Sequence, residues 1–152
     1  MNWDEFKRAA PELAALGEER IARSPLIYLG TLRANGFPRI SPVEALFVDG
    51  ELELGMMWRS PKALDLLRDP RCVVHNLVTK EDGTEGDFKL YGRARDLPDP
   101  GAWQRYCQAM FDRTGWRAPP SAPYHLFALD VEGAGFAQSL DGRHVRKAWR
   151  RE

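Results

Sequence analysis

Three dipeptides, Asn35-Gly36, Asp49-Gly50 and Asp141-Gly142, punctuate the chain, each between runs of residues that suit strands. Such pairs tolerate the positive φ that a tight hairpin turn demands, which makes them the strongest short-range hairpin signals. They commit the chain to antiparallel neighbours. "PLIYLGTLRANGFPRISPVEALFVDGELELGMMW" reads as three strand-like runs joined at the first two turns, an antiparallel meander. "CVVHNLV" and "DFKLYGRARDL" predict another pair around the polar, flexible-looking turn "TKEDGTEG". "YHLFALDVEGAGFAQSLDGRHVRKAW" supplies up to three more strands.

Helical periodicity fills the gaps. "NWDEFKRAAPELAALGEERIARS" has Trp3, Phe6, Ala10, Leu13 and Leu16 at helical spacing, so residues 2–23 read as one helical segment with Asn2 as a cap. Pro11 kinks or splits it, because an interior proline removes a hydrogen bond and clashes with the preceding turn. "DPGAWQRYCQAMFDRTG" places Trp103, Tyr106, Met110 and Phe111 on one helical face, capped near Asp99 and ended by Gly115. Many short antiparallel strands interrupted by two or three helices predict a mainly β, α+β fold: an antiparallel barrel of about six to seven strands with helices over its ends or outer face. Pro42, within "RISPVEALFV", cannot donate to a ladder and belongs at an edge or a break. A barrel split there leaves backbone free for a flat ligand.

The 152 residues fit a single domain spanning 1–152, large enough to bury a core unaided. Lysine plus arginine equals aspartate plus glutamate at 22 each, which leaves no global field to attract nucleic acid or an anionic membrane. Cys72 and Cys107 lie far apart without metal-ligand or disulfide spacing, so a reducing cytoplasm is the expected home. The opening "MNWDEFKRAAPELAALGEER" carries acids and no long apolar run, unlike a signal peptide or membrane anchor. No paired carboxylates, Ser-His-Asp set or His/Cys cluster announces hydrolytic or metal chemistry. His75, alternating with apolar neighbours, reads as a core or interface histidine rather than a haem ligand.

The stretch "MMWRSPKALDLLRDP" is where a strand hands over to a helix. Ala63, Leu64 and Leu67 follow at helical spacing, Ser60 is a good N-cap, Pro61 suits the first helical position, and Pro70 stops the helix. A helix N-terminus presents unpaired N–H groups and a positive dipole, which suits phosphate. Lys62 adds a full positive charge there.

From about Leu26 to Arg95 the chain shows, in order, "LGTLRANGFPRISPV", "DGELELGMMWRSPKALDLLRDPRCVVHN" and "LYGRAR". This succession resembles the pyridoxamine 5'-phosphate oxidase-like, FMN-binding split-barrel family. The resemblance implies that Lys62, Ser60 and Arg39 grip a flavin phosphate. It implies that the backbone from Ser41 through Pro42 to Val43 lines the isoalloxazine ring, with Met57 and Trp58 close by. It implies an FMN-dependent oxidoreductase acting on a small-molecule substrate, with a deazaflavin-dependent reductase or a non-catalytic haem- or flavin-binding protein as alternatives. The true oxidases carry an arginine where this chain has Pro61, and a substrate-phosphate lysine where it has Glu44. The tail "SLDGRHVRKAW" lacks their Trp-Gly and Arg-x-His segments, Arg143 and His144 being only faintly similar. Vitamin B6 oxidation is therefore not expected.

Leu46, Phe47, Val73, His75, Leu77, Phe127 and Leu129 lie on strands that read as apolar on both faces, and a barrel interior takes only one. A homodimer is expected to cover the rest, with two cofactor sites shared between subunits by the same resemblance. The donor or acceptor pocket is expected from the loops "TKEDGTEG" and "RTGWRAPPSAPYH".

Overall fold

Every hairpin signal closes a hairpin. In the computed structural model, which describes residues 1–119 and 122–152, Gly36, Gly50 and Gly142 have φ of 83°, 79° and 72°. The strands are β1 (Leu26–Leu32), β2 (Pro38–Val48), β3 (Glu51–Met57), β4 (Arg71–Asn76), β5 (Asp87–Asp96), β6 (Tyr124–Leu140) and β7 (Arg143–Arg150). They form one antiparallel sheet in the order β3-β2-β1-β4-β5-β6-β7. A further pairing of β3 with β6 closes the first six strands into a barrel and leaves β7 as an extension. With four helices around it, this is an α+β split barrel.

The tail holds two strands where the sequence allowed three. The glycines of "VEGAG" look like turn residues, yet β6 runs through them, with Gly133 opposite Arg150 and Gly135 opposite Ala148. The pairing of β5 with β6 shifts register between Tyr91 and Gly92, and such a bulge bends a strand without ending it.

Pro11 splits the N-terminal segment into α1 (Trp3–Ala9) and α2 (Pro11–Ala22), and Asn2 opens α1 with a capping box closed by Glu5. Trp3 and Phe6 from α1 join Leu13 and Ile21 from α2 in the main core with Ile27, Leu29, Leu54 and Phe88. The helix α3 (Pro61–Arg68) buries Ala63, Asp65 and Leu66, so Leu64 and Leu67 of the expected apolar stripe stand exposed. The helix α4 (Pro100–Thr114), with its cap Asp99 and terminator Gly115, lays Ala102, Tyr106 and Met110 over Leu46, Val48 and Leu126. Phe127 and Leu129 therefore belong to the barrel interior and Leu46 lies under α4. The outer sheet face that no helix covers carries Tyr28, Ile40 and Tyr91, all exposed, with Val73 and His75 half-buried beside them. Among the described residues no helix is long and apolar enough to cross a membrane.

Candidate functional site

The barrel opens along one seam. Pairing of β2 with β3 runs from Val48 opposite Glu51 to Glu44 opposite Gly55 and stops there. Beyond Gly55, β3 stays with β6, placing Met56 opposite His125 and Met57 opposite Tyr124. The Pro38–Val43 part of β2 stays with β1. The Ala45 N–H donates to the Pro25 carbonyl at 3.3 Å, and antiparallel residues alternate between bonding one neighbour and the other. Arg39, Ser41 and Val43 accordingly spend their backbone groups on β1, while Pro38, Ile40 and Pro42 turn theirs to the seam. Two of those three are prolines without an N–H, so the free edge offers three carbonyls and the single donor of Ile40. An edge so poor in donors cannot template another strand, yet it can meet the polar rim of a flat ligand.

The start of α3 shares a groove with Arg39 of β2, since Pro61 and Arg39 both line it. The chain leaves Met57 in a turn closed by the Ser60 N–H on the Met57 carbonyl at 3.1 Å, with Arg59 at φ 53°. Ser60 occupies the N-cap position as its sequence suggests, but its side chain makes no capping bond, and its Oγ is buried without a hydrogen-bond partner. Pro61 takes the first helical position. Lys62 follows, half-buried, with no ion pair or hydrogen bond from its ammonium to any described residue.

Arg39 is anchored from the same helix. Its Nε donates to Asp65 Oδ2 at 2.7 Å, Thr31 Oγ1 donates to the same oxygen at 2.9 Å, and Arg68 approaches Oδ1 at 3.4 Å. Burial pushes the Asp65 carboxyl up, but the hydrogen bonds from Arg39 and Thr31 outweigh it, and the net shift is down. Asp65 thus stays charged and holds Arg39 in place. Arg33, Arg39 and Arg68 line a groove of about 450 Å³ with Pro61 and Asp65, three guanidinium groups against one carboxylate. Sequence reading missed Thr31, Asp65 and Arg68. The available signal was Asp65 itself, an acid on the buried stripe of a short helix, since buried carboxylates require partners.

The remaining expected residues separate. The Val43 side chain is buried in the barrel, Ser41 is half-buried and Pro42 faces outward. Trp58 folds back onto His125, the rings stacked at 4.4 Å and 9°, while Met57 is 75% exposed. Met57 borders a cavity of about 360 Å³ between α4 and the barrel, shared with Glu44 and Tyr106. Tyr106 OH accepts from the Gly55 N–H at 3.2 Å and donates to the Glu44 carbonyl at 3.3 Å. A Cβ on Gly55 would lie 2.5 Å from that hydroxyl, so glycine is what lets the ring come so close. His75 spends Nδ1 on the Asn76 carbonyl at 2.7 Å.

Of the two expected pocket loops, "TKEDGTEG" is tied down, and its Lys80, Glu81, Gly83 and Gly86 line a cavity of about 390 Å³ with residues of β6 and β7. Glu85 accepts from the backbone of Thr79 and Lys80, and its carbonyl accepts from Arg20 and Arg23. In "RTGWRAPPSAPYH", residues 120 and 121 lie outside the described residues.

A barrel opened between β2 and β3, with Arg33, Arg39 and Arg68 in a groove at the start of α3, defines an antiparallel split-barrel protein with a cationic groove beside its seam. The chain belongs to the pyridoxamine 5'-phosphate oxidase family, whose model matches residues 15–137. Among solved structures it is similar to a protein related to general stress protein 26 from Clostridium acetobutylicum, at 16% identity and TM-score 0.64, covering 90% of this chain and 94% of that one. It is similar to a heme binding protein from Mycobacterium smegmatis at 20% identity and TM-score 0.64, covering 88% of this chain and 57% of that one. It is similar to PhzG from Burkholderia lata 383, solved with tetrahydrophenazine-1-carboxylic acid, at 14% identity and TM-score 0.63, covering 99% and 88%. Likeness at these identities is likeness of fold. A search of curated proteins finds no match.

Proposed function

We propose that this chain is an FMN-binding oxidoreductase that works as a homodimer on a small molecule and does not oxidise pyridoxamine phosphate. The observation that carries the reading is the seam: a donor-poor β2 edge near a helix start where Lys62 has no partner among the described residues and Arg39 is held by Asp65. The cations fit the phosphate of the cofactor. Lys62, the α3 N-terminus and the outer nitrogens of Arg39 suit a phosphate dianion. The Ile40 N–H can donate to one carbonyl of a flavin ring and a carbonyl of Pro38, Ile40 or Pro42 can accept from its single ring N–H, while the buried Ser60 Oγ at the α3 N-cap is free to bond a ligand. When bound, the flavin supplies hydride transfer. The protein binds and orients it, and Met57 shapes the opening.

Glu44 supports the negative half of the proposal. It lines the cavity next to the seam, where a carboxylate repels a phosphorylated substrate. The uncovered sheet face supports the dimer. Tyr28 sits between Pro42 and His75, and Gly30 between Ile40 and Val73, in a continuous apolar field that a second copy would bury. The free thiols of Cys72 and Cys107 fit a reducing cytoplasm.

The test is the visible absorption spectrum of the purified protein followed by titration with FMN and riboflavin. A flavin spectrum, and FMN bound far more tightly than riboflavin, support the reading. A deazaflavin or haem band, or equal affinity for the two flavins, overturns it. Pyridoxal phosphate formation by the FMN-loaded protein would overturn the exclusion of vitamin B6 oxidation.

A further inference from the structure

The cavity between α4 and the barrel begins where the seam begins, because Glu44 and Gly55 are both the last β2–β3 pair and two of its lining residues. Its walls are aromatic. Trp103 and Tyr124 are stacked face to face at 3.9 Å and 6°, Trp103 stacks also on Tyr106 at 5.5 Å, and Trp116, Met56, Met57 and Met110 are among the other residues lining about 360 Å³. That volume lies within the range of small-molecule sites and admits a fused aromatic ring system.

Its charge is one-sided. Among the described lining residues Glu44 is the only charged one, and its carboxylate makes no ion pair or hydrogen bond with a described residue. The arginines at the same end of α4 are committed elsewhere. Arg113 donates to the carbonyls of Ala45, Ile21 and Ser24, and Arg117 lies over the Phe111 ring at 3.6 Å. The Tyr106 hydroxyl is occupied on both sides, by Gly55 and by Glu44. Aromatic faces attract cations through their quadrupole, and an unpaired carboxylate at the rim adds a Coulomb attraction. An anion would meet only the neutral donors of the Trp103 and Trp116 indoles and the Tyr124 hydroxyl, with no cation among the described lining residues.

We propose that this cavity binds a planar aromatic cation, such as an N-alkylated pyridinium or quinolinium ring, against the Trp103, Tyr106 and Tyr124 rings with its charge toward Glu44. It deepens the oxidoreductase reading by naming the substrate class of the same site, and it rests on that reading for its link to redox chemistry.

The test uses three bicyclic probes of similar shape on the full chain as purified: N-methylquinolinium, neutral quinoline and naphthalene-2-sulfonate, each followed by equilibrium dialysis and tryptophan quenching. The cation is expected to bind about tenfold more tightly than quinoline, with the sulfonate weakest. Glu44→Gln should remove the advantage of the cation over quinoline while leaving quinoline binding in place, and Trp103→Ala should weaken both. Equal binding of cation and sulfonate, no binding of any probe, or an unchanged cation-to-quinoline ratio in Glu44→Gln would overturn the proposal. The probes report on this cavity, and the FMN and riboflavin titration reports on the seam, so either reading can fail while the other stands.

Discussion

Arg39 Nε lies 2.7 Å from Asp65 Oδ2, so a carboxylate on α3 sets the position of a cation on β2 across the mouth of the seam. Arg39 is 25% exposed at its side chain and Asp65 only 5%, which makes Asp65 the fixed end of the pair. The outer nitrogens of Arg39 make no hydrogen bond to a described residue.

Asp65→Ala removes that anchor and leaves Thr31 and Arg39 without their acceptor. The expected loss of stability is about 3 kcal/mol, the low end for breaking a buried pair because Arg39 and Arg68 keep some water. FMN affinity falls with it as Arg39 becomes mobile. The folded Asp65 pKa lies below its unfolded value, so its stabilisation is present above the unfolded pKa and is lost as pH falls through the folded one. Urea unfolding and FMN titration of the variant check this, and unchanged stability would remove Asp65 from its anchoring role.

Lys62→Ala should weaken FMN by about tenfold to a hundredfold, the value of a charge-assisted contact to a phosphate, roughly 1.5–3 kcal/mol. Riboflavin, lacking the phosphate, should be little affected. Equal losses for the two flavins would show that Lys62 does not meet the phosphate.

Ile40→Glu places a charge on the uncovered sheet face between the seam and Gly30. The expected result in analytical ultracentrifugation is a shift from dimer to a 17.3 kDa monomer, with flavin absorbance lost in step as the wild-type protein is diluted. A wild-type monomer that keeps stoichiometric flavin would contradict both the dimer and the shared site.

Glu53 supplies a pH dependence from beneath α4. It is 4% exposed, its Oε2 has no hydrogen-bond partner, and burial pushes its carboxyl up to about 7 from an ordinary 4.5, against the opposing charge of Arg105. A folded pKa above the unfolded one means stability is full below about pH 4.5 and declines as pH rises through about 7. The decline should amount to about 2 kcal/mol, less than the full conversion because solvent screens the charges around it. Unfolding curves at about pH 5 and about pH 8 measure it, and Glu53→Gln should flatten the difference. Equal pH dependence in that variant would assign the effect to another group.

What the sequence determined by itself is local. Asn35-Gly36, Asp49-Gly50 and Asp141-Gly142 specify their turns because glycine takes the positive φ each turn requires without strain, with Asp49 and Asp141 joining it at φ 48°. Pro11 divides the first helix and Asp99 and Gly115 bound α4 for the same kind of reason. The placement of Pro42 on a free edge was legible because proline lacks the donor a ladder needs. Tertiary structure decided everything that depends on a partner distant in the chain. Ser60 forgoes its capping bond, Trp58 turns onto His125, and Asp65 with Leu66 rather than Leu64 and Leu67 faces inward, because packing around α3 selects among side-chain positions that propensity leaves equal. The seam itself arises where β3 follows β6 and β2 follows β1. Local pattern fixes that each segment is a strand, but which neighbour each keeps past Glu44 and Gly55 depends on closing the barrel, a contact between β3 and β6 that no short window of sequence contains.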